Sequence, residues 1–154
     1  MSEQATDDTI MRRGDFPEHR HMPTRWADND HYGHVNNAVY YEYFDTTVNG
    51  YLIESAGTDI RELPAIGLVV ETSSRYLRPV SFPDQLWVGL GVSRLGRSSV
   101  TYQLGLFVDD ETEPAALGRF VHVYVDRDTR RSTAVPQVIC DAIRPLVLSD
   151  PHAA

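Results

Sequence analysis

An α+β domain is what this chain predicts, on three observations. Apolar residues between Ala38 and Ser55 recur at steps of three and four. From Ile66 onward the pattern changes to alternation, repeated over four runs. The runs are separated by short turns rich in glycine, proline and charge, a spacing that favours antiparallel pairing. One long early helix followed by an antiparallel sheet of four or five strands satisfies all three.

The elements follow in order. Residues 1–18 are polar and are expected to form a flexible arm. His19 to Trp26 reads as a short strand, which Pro23 confines to an edge or a bulge. The helix carries its stripe on Tyr40, Tyr43, Phe44, Val48, Tyr51 and Leu52. Asn36 or Asn37 caps its start and Gly57 closes its end. Gly50 inside it costs stability, so a close approach by another backbone is expected there. Strands follow over Ile66–Leu77, Gln85–Ser93, Ser99–Val108 and Ala116–Val125. Gly89, Gly91 and Gly118 are expected to let the sheet wrap around the helix. Pro136 to Val147 reads as a second, weaker helix, and residues 149–154 as a flexible tail. Residues 19–148 thus make one domain.

Composition narrows the function. The chain has 154 residues, 42% of them hydrophobic, enough for a core. A net charge of −8 and a pI near 5.1 argue against a nucleic-acid partner. The single cysteine, Cys140, excludes an internal disulfide and fits a reducing compartment, so a cytoplasmic location is expected. No apolar run of membrane-spanning length is present, and the first residues lack the apolar segment of a secretory signal.

The chemistry concentrates in Asp28 to Val39, DNDHYGHVNNAV. Two carboxylates, two imidazoles, a glycine and two asparagines precede the aromatic helix. A carboxylate beside the positive end of a helix dipole is placed to attack a carbonyl. Taken alone, Asp30 reads first as a turn or N-cap aspartate and only second as a catalytic group. Asp28 reads as a brace for the loop through backbone N–H groups. His31 reads as a pocket-lining residue and His34 as a loop hydrogen-bonding residue. Together with the carboxylates they are too few for a metal site, and no metal is expected. Tyr40, Tyr43 and Phe44 are core residues first and pocket wall second. Glu71 is a solvated strand residue. His122 reads as a hydrogen-bonded sheet histidine and Cys140 as packing. Arg94, Arg97, Ser98 and Ser99 around the LGRSS turn, with Arg75 and Arg78 at another strand end, offer guanidinium forks and hydroxyls to phosphate.

The segment RWADNDHYGHVNNAVYYEYFDTTVNGYL, with RYLRPVSFPDQL and LGRSSVTYQLGL, resembles the hotdog-fold acyl-CoA thioesterases of the 4-hydroxybenzoyl-CoA thioesterase-like family. The resemblance spans about Arg20 to Val135. It implies a sheet curled around one long central helix, two subunits sharing a continuous sheet, and an active site at their interface. It also implies that the second carboxylate, Asp30, is catalytic, and that a backbone N–H near Asn37 polarises the carbonyl. His-Tyr follows Asp30 where benzoyl-CoA members often have Pro-Ala. GHVNN is closer to variants acting on fatty acyl chains.

A thioester has a fairly stable thiolate leaving group, so one carboxylate suffices, either as nucleophile or as base toward water. Amides around Asn36 and Asn37 supply the oxyanion site. The expected protein is an acyl-CoA thioesterase without a cofactor, acting on a CoA or carrier-protein thioester as a homodimer or homotetramer. A non-catalytic acyl-CoA-binding module is the alternative. A hotdog dehydratase ranks last, because DNDHYGHVNN reproduces its Asp/His or His/Glu pattern poorly.

Overall fold

The computed structural model describes residues 10–149. Five strands form one antiparallel sheet: β1 (Glu18–Pro23), β2 (Ala65–Tyr76), β3 (Gln85–Leu95), β4 (Ser99–Val108) and β5 (Ala116–Asp126). Their order is β1-β3-β4-β5-β2. Helix α1 (Asn37–Ala56) packs on one face, and the shorter α2 (Gln137–Ile143) packs beside it. This is the hotdog arrangement that the resemblance implies.

The two periodicities account for it. Tyr40, Tyr43, Phe44, Val48 and Leu52 of α1 meet the even-numbered residues of three strands. These are Leu86 to Val92 of β3, Val100 to Leu106 of β4, and Phe120 and Tyr124 of β5. Asn36 caps α1 through its Oδ1, which accepts the Ala38 N–H at 2.9 Å. Gly57 ends the helix at φ 66°, the left-handed region. β3, β4 and β5 form the expected meander. β2 and β3 do not form a hairpin, because β2 lies beyond β5 at the far edge. Pro23 ends edge strand β1, as anticipated.

Three sequence expectations need correction. Gly118 does admit the helix, since a Cβ there would sit 2.6 Å from the Phe44 ring. Gly89 and Gly91, however, point to the opposite face, where Phe16 and Leu148 occupy the space. Gly50 is approached by a side chain and not by backbone. A Cβ there would meet the Arg20 guanidinium at 2.7 Å, and that group pairs with Glu54 one turn on. Residues 13–18 also do not extend as an arm. Arg13–Asp15 form a 3-10 turn, the Arg13 N–H donates to the Thr112 carbonyl at 2.9 Å, and Phe16 is buried edge-on against Phe107. Residues 1–9 of that arm, and 150–154 of the tail, lie outside the described residues.

The two glycines predict opposite outcomes. Gly118→Ala drives a methyl into a fully buried ring and should cost about 1–3 kcal/mol. Gly50→Ala displaces only the mobile end of an arginine and gains helix propensity, so its melting temperature should equal or slightly exceed wild type. Thermal unfolding of both variants checks the contrast.

Among the described residues, β2 is paired on one side only. Its other edge runs 12 residues, and Leu68, Val69, Val70 and Tyr76 on it are exposed. A long apolar edge of this kind invites pairing with another strand.

Candidate active site

The polar loop is built from its own backbone. The Asp30 N–H donates to the His34 carbonyl at 2.7 Å, and the Gly33 N–H to the Asp30 carbonyl at 3.1 Å. Gly33 takes φ 84°, which favours glycine. Bonds to the segment before β3 fix the loop in place. Val35 N–H donates to the Val80 carbonyl at 2.8 Å, Ser81 Oγ donates to the Gly33 carbonyl at 2.7 Å, and Phe82 N–H donates to Asn29 Oδ1 at 3.0 Å.

Within this frame the two carboxylates differ sharply. Asp28 is buried, with 1% of its surface exposed. It accepts the Tyr43 hydroxyl at 2.7 Å, the Arg25 N–H at 2.9 Å and the Arg25 guanidinium at 2.8 Å. Burial pushes its pKa up, but the bonds from Tyr43 and Arg25 outweigh this and hold it below the ordinary carboxylate value. Burial, and then the same contact, pushes the pKa of the Tyr43 phenol far up. Asp28 is therefore a pinned anion, and its own carbonyl accepts the Asn36 N–H at the helix cap. The expected bracing role is what its contacts describe.

Asp30 is half-buried. Its Oδ1 accepts the amides of Tyr32 at 2.8 Å and His34 at 3.3 Å. Its Oδ2 has no partner among the described residues. The carboxylate lines an open depression shared with Trp26, Ala27, Asn29, His31 and Gly33. Asn37 is the first residue of α1, and its N–H makes no hydrogen bond among the described residues. One free carboxylate oxygen and one free helix-terminal donor thus flank the loop.

The other expected site residues divide. His31 lines the depression and stacks on Tyr32, with ring centroids 3.9 Å apart. His34 serves the loop through its backbone, while its ring is exposed and unbonded among the described residues. Asn36 is the cap. Tyr40 is buried in the core, and Tyr76 packs edge-on to it at 4.9 Å. Arg78 lies at the same end of the sheet but pairs with Glu111. Glu71 is exposed and pairs with Arg119 at 2.9 Å.

Arg94, Arg97, Ser98 and Ser99 sit at the other end of β3. The start of β3 pairs with Pro23 beside the Asp30 loop, and its 11 residues put the turn about 33 Å away within one subunit. Arg94 and Arg97 are exposed and make no ion pair among the described residues. The turn therefore does not belong to the same subunit's Asp30 site. Sequence spacing contained no such distance.

Three features escaped the sequence reading. Arg25 and Tyr43 pin Asp28, although the Arg-x-x-Asp spacing was a usable signal. The Tyr76 hydroxyl donates to the Asn37 carbonyl at 2.9 Å, tying the end of β2 to the start of α1. His122 is buried as expected, yet its Nε2 has no partner among the described residues, which corrects the reading of it as hydrogen-bonded.

No three His, Cys, Asp or Glu side chains gather as a metal site among the described residues. No described helix is long and apolar enough to cross a membrane.

The family model of the thioesterase-like superfamily matches residues 24–143. No curated protein matches the chain. Among solved structures, the PA5185 protein of Pseudomonas aeruginosa is 49% identical, over 91% of this chain and 98% of that one, with a TM-score of 0.87. The PA2801 protein of the same organism is 33% identical, over 83% and 98%, with a TM-score of 0.74. A Thermus thermophilus thioesterase, solved with coenzyme A and zinc, is 31% identical, over 86% and 95%, with a TM-score of 0.71.

Proposed function

Since the chain belongs to the thioesterase-like superfamily and is a thioester hydrolase, we propose that it cleaves acyl-CoA thioesters at the Asp30 loop. The observation that carries this reading is the state of Asp30. One oxygen is held by two loop amides and the other is free at an open depression. A carboxylate fixed in orientation but not neutralised by a cation is suited to attack a carbonyl carbon or to take a proton from water. The unpaired Asn37 amide at the positive end of a 20-residue helix supplies the oxyanion donor. Binding of coenzyme A in the Thermus relative supports the carrier. Free-thiol release over a broad panel of CoA thioesters tests the reading. Turnover of at least one class is expected, whereas acyl-CoA binding without turnover of any would favour a non-catalytic module.

The functional unit in this proposal is at least a dimer, made by pairing β2 with β2 of a second copy. The dyad continues the sheet across two subunits and covers the exposed Leu68, Val69 and Val70. It also offers a route for the remote Arg94–Ser99 turn to serve another subunit's substrate. Light scattering should return a multiple of the 17.4 kDa chain mass; the monomer mass at micromolar concentration would refute the pairing.

A further inference from the structure

A cavity of about 180 Å³ lies between α1 and the far end of the sheet from Asp30. Its walls include the apolar Leu52, Leu63, Ala65 and Tyr124, the polar Asn49 and Arg61, and His122 from the inner face of β5; the Arg61 guanidinium is paired with Asp59. His122 is 3% exposed, and its Nε2 has no partner among the described residues. Tyr102 packs edge-on against it at 5.1 Å, and its fully buried hydroxyl is also without a partner. Buried polar atoms are almost always hydrogen-bonded, so the unpartnered His122 nitrogen on the cavity wall is suited to a polar group entering from the cavity.

The dyad through β2 connects this cavity to the chemistry. Antiparallel pairing of β2 with its copy sets the start of one strand beside the end of the other. The start, Ala65–Gly67, borders the cavity. The end, Tyr76, holds the Asn37 carbonyl at the start of α1. The cavity of one subunit thus comes beside the helix start of the other.

Building on the thioesterase reading, we infer that this cavity receives the far end of the acyl group, and that His122 selects acyl groups carrying a hydroxyl or keto oxygen there. The size suits it, since an apolar cavity of about 150 Å³ accepts benzene. The chemistry suits it as well. Burial lowers the basicity of His122, with Asp45 acting in the opposite sense, so the ring faces the cavity as a neutral donor or acceptor. A neutral imidazole pairs with an uncharged hydroxyl or keto oxygen, and the Arg61 guanidinium on the same wall is already engaged by Asp59. A site built to hydrogen-bond such a group rejects the analogue that lacks it, because its own polar atom is then left unpaired.

The test compares kcat/KM for hexanoyl-CoA with that for its 3-hydroxy and 6-hydroxy derivatives. Wild type should favour one hydroxylated substrate over hexanoyl-CoA by about tenfold or more. His122→Phe should lose that preference, and His122→Gln, which keeps a donor and an acceptor, should retain most of it. Two results overturn the inference while leaving the thioesterase reading intact. One is a wild type that hydrolyses all three without preference. The other is a His122→Phe enzyme that melts as wild type does and keeps the same ratio. A wild type that releases thiol from none of these or any other CoA thioester overturns both.

Discussion

Asp30→Asn should lower kcat by about 10²–10⁴-fold, the range supplied by a positioned acid or base, while melting within about 2 °C of wild type. The two halves of this expectation come from the two oxygens. Oδ1 accepts the Tyr32 and His34 amides, and an asparagine carbonyl accepts the same bonds. The loop therefore keeps its shape. What is lost is the negative charge on the free oxygen, which is the reacting group. Asp30→Ala removes both and mixes loop disorder with lost chemistry, so asparagine is the cleaner probe. A purified Asp30→Asn protein with wild-type turnover across the substrate panel would remove Asp30 from the mechanism.

Asp28→Ala should be the most destabilising change near the site, by about 3–5 kcal/mol. The substitution leaves the buried Tyr43 hydroxyl and the Arg25 amide without their acceptor, and it empties a buried position. Hydrogen bonds to a charged group are each worth about 1.5–3 kcal/mol, so several together account for the total. Activity should fall too, because losing the side-chain bonds that hold residue 28 lets its backbone carbonyl, which positions the cap residue Asn36, shift. The effect has a pH signature. The folded state holds Asp28 below its ordinary value of 3.8. Its stabilisation is therefore complete above the ordinary carboxylate range and disappears as pH falls through the depressed value. Chemical denaturation should give a full gap between wild type and Asp28→Ala at pH 7. The gap should narrow below about pH 4, and a gap independent of pH down to acid unfolding would contradict the ionised pin.

Much of this was legible in the residues because local geometry dictates it. The steps from Tyr40 to Leu52 specify one buried helical face, and that face is buried. The alternation in β3, β4 and β5 specifies two faces, and the core takes one. Asn36 and Gly57 mark the helix ends by known backbone chemistry. Other features depend on chain crossings that no local pattern encodes. The side of the sheet that Gly89 and Gly91 face depends on where Phe16 and Leu148 return. The LGRSS turn has the right groups for phosphate, but its distance from Asp30 is set by the length and direction of β3. His122 alternates as a core residue should, and only the packed neighbours reveal that its nitrogen lacks a partner. The apolar run Leu68 to Val70 looked like an ordinary strand until β2 proved to be an edge.

The most direct measurement is a crystal structure with an acyl-CoA analogue in which methylene replaces the thioester sulfur. The free Asp30 oxygen should lie about 3–3.5 Å from the ketone carbon, with the ketone oxygen about 2.7–3.1 Å from the Asn37 nitrogen. A ligand bound with its ketone away from the residue 30 loop would contradict the mechanism.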